Sequence, residues 1–431
     1  MANRKEHMMK HVILVLAVLW ACSSAEQLTA AKAVEIALAN NFNIRIAQND
    51  ATKADNTRKL KAGALLPSVT ADGSAVYSNT EYSSSGSSTG SFGSSSNGWS
   101  YSAGASMNWT LFDGFKMFHA YRQVEQAAQL SEQVSRQTIE SSVVNVLVAY
   151  YNLASSRSLL DFAKSQLALS RTSLNRTKAM YDYGRATKRD MLAQEVLVNA
   201  DSSAVAARQL DVIRAQHNLN VALGRRPDES VDVIADTTAE APENDAHFWY
   251  EKATRHNAGL KMAEIQQNIA SSQLGIARAA FWPVLAARGS YTQTWSDNDY
   301  SRTSTGLYLT WPIFSNFARI TNVQNAQLDK KSASYSYEQK ERELEAHVYQ
   351  QWETLNNAYQ QIGFEQKAIA RAEQALAMSE EEYRLGRISD VQYRDAQLAL
   401  LNARIRLESA MFQSKVAALQ LEQLAGMIMI E

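Results

Sequence analysis

The chain has 431 residues, with 43 lysines and arginines against 44 aspartates and glutamates and a formal net charge of −1. That balance leaves no basic footprint for nucleic acid. A single cysteine excludes an intramolecular disulfide framework and any multi-cysteine metal site. Length alone suggests two or three ordinary domains, but an internal duplication overrides that count.

At the N-terminus Arg4, Lys5 and Lys10 precede an apolar run from Val12 to Trp20, too short to span a bilayer and suited to an export signal over 1–25. Cleavage after Ser23-Ser24-Ala25 leaves Glu26 first. The alternative is a lipobox at Leu19-Trp20-Ala21-Cys22 that leaves Cys22 acylated, although tryptophan before the small residue suits it poorly. No other segment approaches 18 consecutive apolar residues, so any membrane insertion must use strands.

Thr29 caps a short helix that ends at Asn40-Asn41, and a second helix runs toward Pro67. Val69, Ala71, Gly73, Ala75 and Tyr77 then alternate with polar residues, predicting a strand over about 68–82. Serine and glycine dominate from Ser83 to Gly98, which is expected to be an exposed loop. Trp99, Tyr101, Ala103, Ala105, Met107, Trp109 and Leu111 share one parity and predict a second strand over about 99–112. At Trp109-Thr110-Leu111-Phe112-Asp113-Gly114-Phe115 the period changes from two to helical, and helices are expected over 115–183 and 187–224. Large residues recur every seventh position from Ile139 through Val146, Leu153, Leu160 and Leu167 to Leu174 and Tyr181, with small residues three later, so helices can approach closely. Arg157, Lys164, Arg171 and Lys178, also seven apart, read as a solvated or neighbour-paired face.

The second half repeats this order. Asn41 to Ser74 matches Asn257 to Ser290 without a gap; Trp109, Phe112 and Phe115 match Trp311, Phe314 and Phe317; Tyr181, Gly184, Arg185 and Gly224 match Tyr383, Gly386, Arg387 and Gly426. The expected repeats are 26–238 and 239–431, the second with strands over about 284–295 and 303–313 and helices over 316–384 and 388–425. In the last helix Ala396, Leu400, Ala403 and Leu407 begin one seam, while Leu398, Ile405, Phe412 and Leu419 form another on a separate face. Two seams imply two helical neighbours, as in a cylinder of helices. Four strands cannot close a barrel, yet their apolar faces end in aromatics (Tyr77, Trp99, Trp109, Tyr291, Trp295, Trp311) and their other faces are polar, as in an outer-membrane barrel wall. Several copies must then combine to remove the sheet edges.

With these features the chain resembles the TolC-type outer-membrane efflux proteins. The resemblance is carried by Asn40-Asn41, Leu66-Pro67-Ser68, Trp109 to Gly114, Tyr181 with Gly184, Trp311-Pro312-Ile313-Phe314, Tyr383 with Gly386, and Asp395-Ala396-Gln397, repeated in order. It implies an α+β membrane protein: a homotrimer with a twelve-stranded outer-membrane β-barrel continued by a barrel of long helices. Its implied partners are outer-membrane lipid, a periplasmic adaptor and an inner-membrane transporter. The implied function is the passive exit duct of a tripartite efflux pump or type I secretion system. By the same resemblance the helix turns form the periplasmic constriction and the adaptor-docking site. Asp395 matches one acid of a constricting ring whose other position is Gln392 here. Asp190 matches an acid that holds the coils shut through a tyrosine, here Tyr383, and an arginine whose position is Ile388 here, with Arg387 beside it. Tyr181, Gly184, Arg185 and Gly386 mark the docking turns.

The rival classes fare worse. His119, His217, His247, His256 and His347 stand in no HExxH pattern, and no GxSxG or phosphate loop occurs, so neither an enzyme nor a cofactor site is expected. A soluble periplasmic coiled-coil scaffold explains the heptads but has no use for four strands with greasy faces.

Overall fold

The computed structural model describes residues 27–61, 65–81, 95–234, 241–296 and 299–428. The expected export signal, Cys22 and most of the serine- and glycine-rich stretch lie outside the described residues. The elements in order are β1 (Gln27–Leu28), α1 (Ala30–Asn40), α2 (Phe42–Lys61), β2 (Ser68–Glu81), β3 (Ser95–Phe112), α3 (Lys116–Asp182) and α4 (Lys188–Ala222). Then follow β4 (Asp232–Val233), α5 (Ala246–His256), α6 (Ala258–Ala279), β5 (Val284–Trp295), β6 (Tyr300–Thr310), α7 (Ala318–Arg384) and α8 (Asp390–Leu424). The duplication is metrically close: α3 and α7 have 67 residues each, α4 and α8 have 35, and α1 and α5 have 11. No helix among the described residues is long and apolar enough to cross a membrane.

The chain forms two compact units that cut across the two halves. One comprises Asn49–Val134 and Gly259–Lys340 and holds an antiparallel sheet in the order β2-β3-β5-β6. Alternation sorts its side chains onto two unlike faces. On one, Tyr77 pairs with Trp99 and Tyr101 with Trp295; the aromatic rings of Tyr77 and Trp99 lie 5.5 Å apart. On the other, Thr70 and Ser106 share a hydrogen bond of 2.7 Å, Ser74 and Ser102 one of 2.9 Å, and Arg288 Nε donates to Asn108 Oδ1 at 3.2 Å. The greasy face stays bare within this unit: Val69, Trp99, Leu307 and Leu309 are all exposed.

Three strand limits differ from the sequence expectation, one of them the start of β6 at Tyr300 and not near 303. β3 begins at Ser95, not near 99, because Ser95 to Gly98 pair with Ser78 to Glu81 through the main chain, which needs no apolar side chain. β6 ends at Thr310, not near 313: Pro312 has no N–H to donate to a ladder. At each change from strand to helix the backbone turns through the left-handed region, with φ of 70° and 69° at Gly114 and Phe115 and 48° and 61° at Asn316 and Phe317. Left-handed phenylalanine is strained, at roughly 1–2 kcal/mol per residue, whereas asparagine adopts this region more readily. The indole N–H of Trp109 ties the first turn to Leu65 O (3.0 Å), and that of Trp311 ties the second to Phe281 O (3.2 Å).

The other unit comprises Met1–Gln48, Ser135–Ala258 and Glu341–Glu431. Its core gathers Ala33, Ala37, Val146, Tyr150, Leu153, Leu219 and Leu223. Burying each of the larger side chains there contributes about 1.5–3 kcal/mol. The Tyr150 hydroxyl lies 2.9 Å from Leu28 O and 2.8 Å from Ile234 O, so one buried donor serves both chains at the C-terminal end of the parallel β1·β4 pair. Arg157, placed by its heptad on a solvated or neighbour-paired face, binds Asp232 and Val231 O beside that pair. The asparagine motif has a concrete use. Asn41 Nδ2 donates to Ala222 O at the end of α4 (2.7 Å), and Asn257 Nδ2 to Leu424 O at the end of α8 (3.0 Å).

Candidate functional site at the helix turns

The two turns joining α3 to α4 and α7 to α8 are built alike. Gly184 (φ 66°) and Gly386 (φ 74°) end the long helices in the left-handed conformation, and Arg185 N donates to Met180 O (2.7 Å) as Arg387 N does to Glu382 O (2.8 Å). A side chain at either glycine would meet open space, so the backbone angle, and not crowding, selects glycine. Both following helices open with a capping box. Thr187 N donates to Asp190 Oδ2 (2.9 Å) and Asp190 N to Thr187 Oγ1 (3.2 Å); Ser389 N donates to Gln392 Oε1 (2.9 Å) and Gln392 N to Ser389 Oγ (3.4 Å). The hydrogen bonds from Thr187 hold the Asp190 carboxyl below the usual aspartate range.

The expected grouping of Asp190 with Tyr383 and Arg387 is not what one protomer brings together. Asp190 is engaged by its own cap, and Arg387 is exposed with no ion pair among the described residues. Tyr383 instead sits between α3 and α8. Its ring stacks on Tyr393 at 4.8 Å and 6°, the Arg176 guanidinium lies over it at 4.5 Å, and its hydroxyl donates to Asp390. Burial first, and the Asp390 carboxylate second, push its pKa well above the ordinary tyrosine value. Gln194 Nε2 on α4 donates to Asp390 Oδ2 at 3.1 Å, so α4 and α8 meet at that aspartate. Asp395 is exposed, as are Tyr181, Gly184, Arg185, Gly386 and Gln392.

A second polar knot lies further along the helices, and the heptad reading passed over it. Arg394 Nη2 on α8 donates to Asp201 Oδ1 on α4 at 2.7 Å and its Nη1 to Ser170 Oγ on α3 at 2.9 Å, while Ser170 Oγ donates to the other Asp201 oxygen. The two charged side chains are only 14% and 11% exposed. Nearby, Gln166 Nε2 donates to Gln397 Oε1 (3.3 Å), and Arg394 Nε and Gln397 Nε2 are buried with no protein partner. Asp201 had a signal: Gln194, Asp201 and Ala215 share one heptad line, and an acid on an inward line needs a buried base. No group of metal-ligating side chains is found among the described residues.

Comparison with known proteins places this architecture. Residues 33–225 and 249–427 match the family described as outer membrane efflux protein. The outer membrane protein TolC of Escherichia coli K12 is 21% identical over 348 residues, covering 75% of this chain and 69% of that protein. The alkaline protease secretion protein AprF of Pseudomonas aeruginosa is 22% identical over 340 residues, covering 76% and 70%. Among solved structures, the CmeC outer membrane channel of Campylobacter jejuni superimposes with a TM-score of 0.78 at 17% identity, covering 92% of this chain and 85% of that one. The matched segments take in both copies of the duplication, and the sheet and paired long helices recur in the solved channel, so this chain belongs to the outer membrane efflux protein family and is a protein of the outer membrane.

Proposed function

We propose that three copies form a continuous exit duct, a twelve-stranded barrel in the outer membrane opening into a barrel of helices in the periplasm. The observation that carries this reading is the sheet: four strands, a bare aromatic face, a polar face, and two unpaired edges at β2 and β6. Open edges in lipid leave main-chain N–H and C=O groups without partners, at several kcal/mol each, so the strands must close with those of other copies. The duct is passive, since no phosphate loop supplies an energy source. The repeats are 26–238 and 239–431, with 1–25 the export signal and Cys22 the residue acylated if the lipobox is used.

At the helix turns, Asp395 from each copy faces the constriction, where a ring of carboxylates attracts cations and excludes anions. Tyr383 biases the closed state through Asp390 and Arg176, with Asp190 and Gln392 fixing the helix starts and Arg387 at the rim. Tyr181, Gly184, Arg185 and Gly386 present the two turns to a periplasmic adaptor, which couples the duct to an inner-membrane transporter. AprF is named for protease secretion and the family for efflux, and the passive duct serves either.

Single-channel recording of detergent-purified protein in a planar bilayer tests the reading. Discrete cation-selective steps, with selectivity reduced by Asp395→Ala, are expected. A protein that stays folded and monomeric without detergent and yields no steps overturns it.

A further inference from the structure

We propose that the apolar hollow behind Trp311 receives Leu66 of the next copy, and that β6 pairs with β2 of that copy in one definite register. This rests on the three-copy reading and adds the contact surface that makes the copies fit. A ring of duplicated chains alternates first and second halves, so the junction between copies repeats the junction inside a chain. Inside the chain the first half meets the second along β3 and β5. By the duplication, β6 stands where β3 stands, and β2 where β5 stands.

The observed register therefore transfers. Ala105 opposite Tyr291, Met107 opposite Gly289 and Trp109 opposite Ala287 become Leu307 opposite Ala75, Leu309 opposite Gly73, and Trp311 opposite Ala71 of the next copy. The greasy faces then run on without a step, because each of these residues lies on the apolar parity of its strand.

Below the sheet the contacts transfer too, with sizes adjusted. Inside the chain the turn before β5 sets Trp282 against Gly114, where an added Cβ would stand 2.6 Å from Trp282 Cβ. Likewise Gly275 leaves room for His119, whose Nδ1 lies 2.4 Å from where a Cβ would be. At the matching places between copies, Asn316 faces Leu66 and Thr321 faces Lys59. The glycine of each pair has gained a side chain, and the bulky ring opposite has been replaced by something smaller or more flexible. An Asn316 Cβ cannot share the 2.6 Å approach, so Leu66 must stand off by about 1 Å. The room exists: a hollow of about 380 Å³ is lined by Phe281, Trp311, Phe314, Phe317 and Ile320. Leu66, two residues before the strand at the open β2 edge, is 67% exposed.

Engineered cysteines test the register, with every single-cysteine variant as a control. In detergent-purified protein, Leu307→Cys with Ala75→Cys should oxidise to covalent trimers, because directly opposed residues lie within disulfide reach. Leu307→Cys with Tyr77→Cys, displaced by two residues, should not. A size exchange tests the hollow. Leu66→Trp should lower trimer stability roughly tenfold or more per junction, and Leu66→Trp with Asn316→Gly, which recreates the Trp282–Gly114 pair, should restore it. Trimers that cross-link only through the displaced pair overturn the register and leave the three-copy reading standing. Trimers indifferent to Leu66→Trp overturn the occupant and leave the hollow to lipid. Wild-type protein that is folded but never trimeric overturns the three-copy reading and this proposal with it.

Discussion

Replacing Asp201 by alanine should loosen the start of α8 far more than a surface ion pair would. Arg394 reaches Asp201 at 2.7 Å and Ser170 at 2.9 Å in a setting where both charged groups are almost fully covered, and Arg394 Nε already has no protein partner. Asp201→Ala strands a guanidinium among helices, which costs about 3–5 kcal/mol, against about 0–1 kcal/mol for an exposed pair. Native-state hydrogen exchange is the suitable assay, since the loss concerns local opening of the helix ends. At about 1.4 kcal/mol per decade, protection of the amides around Arg394 should fall by roughly two to three and a half orders of magnitude. Asp201→Leu with Arg394→Met removes both charges, and should recover most of the protection. A fall of less than about tenfold in the single variant, or a double variant no better than the single, refutes the claim that a desolvated charge holds α8 to α3 and α4.

Tyr383→Phe keeps the stack on Tyr393 and the Arg176 contact but loses the hydroxyl bond to the Asp390 carboxylate, so the same exchange experiment should register about 1.5–3 kcal/mol. Glu408, buried with Oε1 unpaired and a hydrogen bond to Ser155, has its pKa raised by desolvation above 4.5. A raised carboxyl contributes stability below 4.5 that is lost as pH rises through its folded value, so Glu408→Gln should flatten the fall of the thermal midpoint that sets in as pH rises above 4.5. Gly224 and Gly386 both have positive φ, but an added Cβ meets Asn40 O at 2.4 Å in the first and nothing within 4 Å in the second. Thermal unfolding should therefore show Gly224→Ala losing more than about 2 kcal/mol and Gly386→Ala about 1 kcal/mol.

The elements were legible because each announces itself by period. Trp99 to Leu111 alternate over a single face, Ile139 to Tyr181 step by seven, and Gly184 and Gly386 punctuate both halves. Strand limits were less so, since Ser95 to Gly98 join the ladder through main-chain groups common to all residues and carry no hydrophobic signature. The left-handed Phe115 and Phe317 were also hidden: nothing in a phenylalanine's type announces positive φ. Within the candidate site, resemblance pointed to Asp190, Tyr383 and Arg387, but hydrogen bonding is decided by distance in three dimensions. Asp190 found Thr187 three residues away before it could reach another helix. Asp390, Arg176 and Arg394 went unmarked because pairings such as Arg394 with Asp201 cross 193 positions of sequence.

The duplication bears on how such a duct would open. In the proposed ring of copies, the seam of α3 with α8 inside a chain would have its counterpart between α7 and α4 of the next copy. The residues matching Ser170, Asp201 and Arg394 are Ala372, Ala403 and Leu192, so the charged knot has no equivalent between copies. Parting the seam inside the chain strands a buried guanidinium, whereas at the three matching places between copies it would expose apolar side chains alone, at about 25 cal/mol per Å². In that ring the cheaper movement would be between copies. Ala372→Cys with Leu192→Cys, bridged by a reducible thiol cross-linker about as long as the arginine side chain it replaces, should therefore hold conductance at its closed level, and reduction should release it. Unchanged conductance in fully cross-linked trimers would show that the chain parts its own helices, and that the knot at Arg394 is a fastening undone in each cycle.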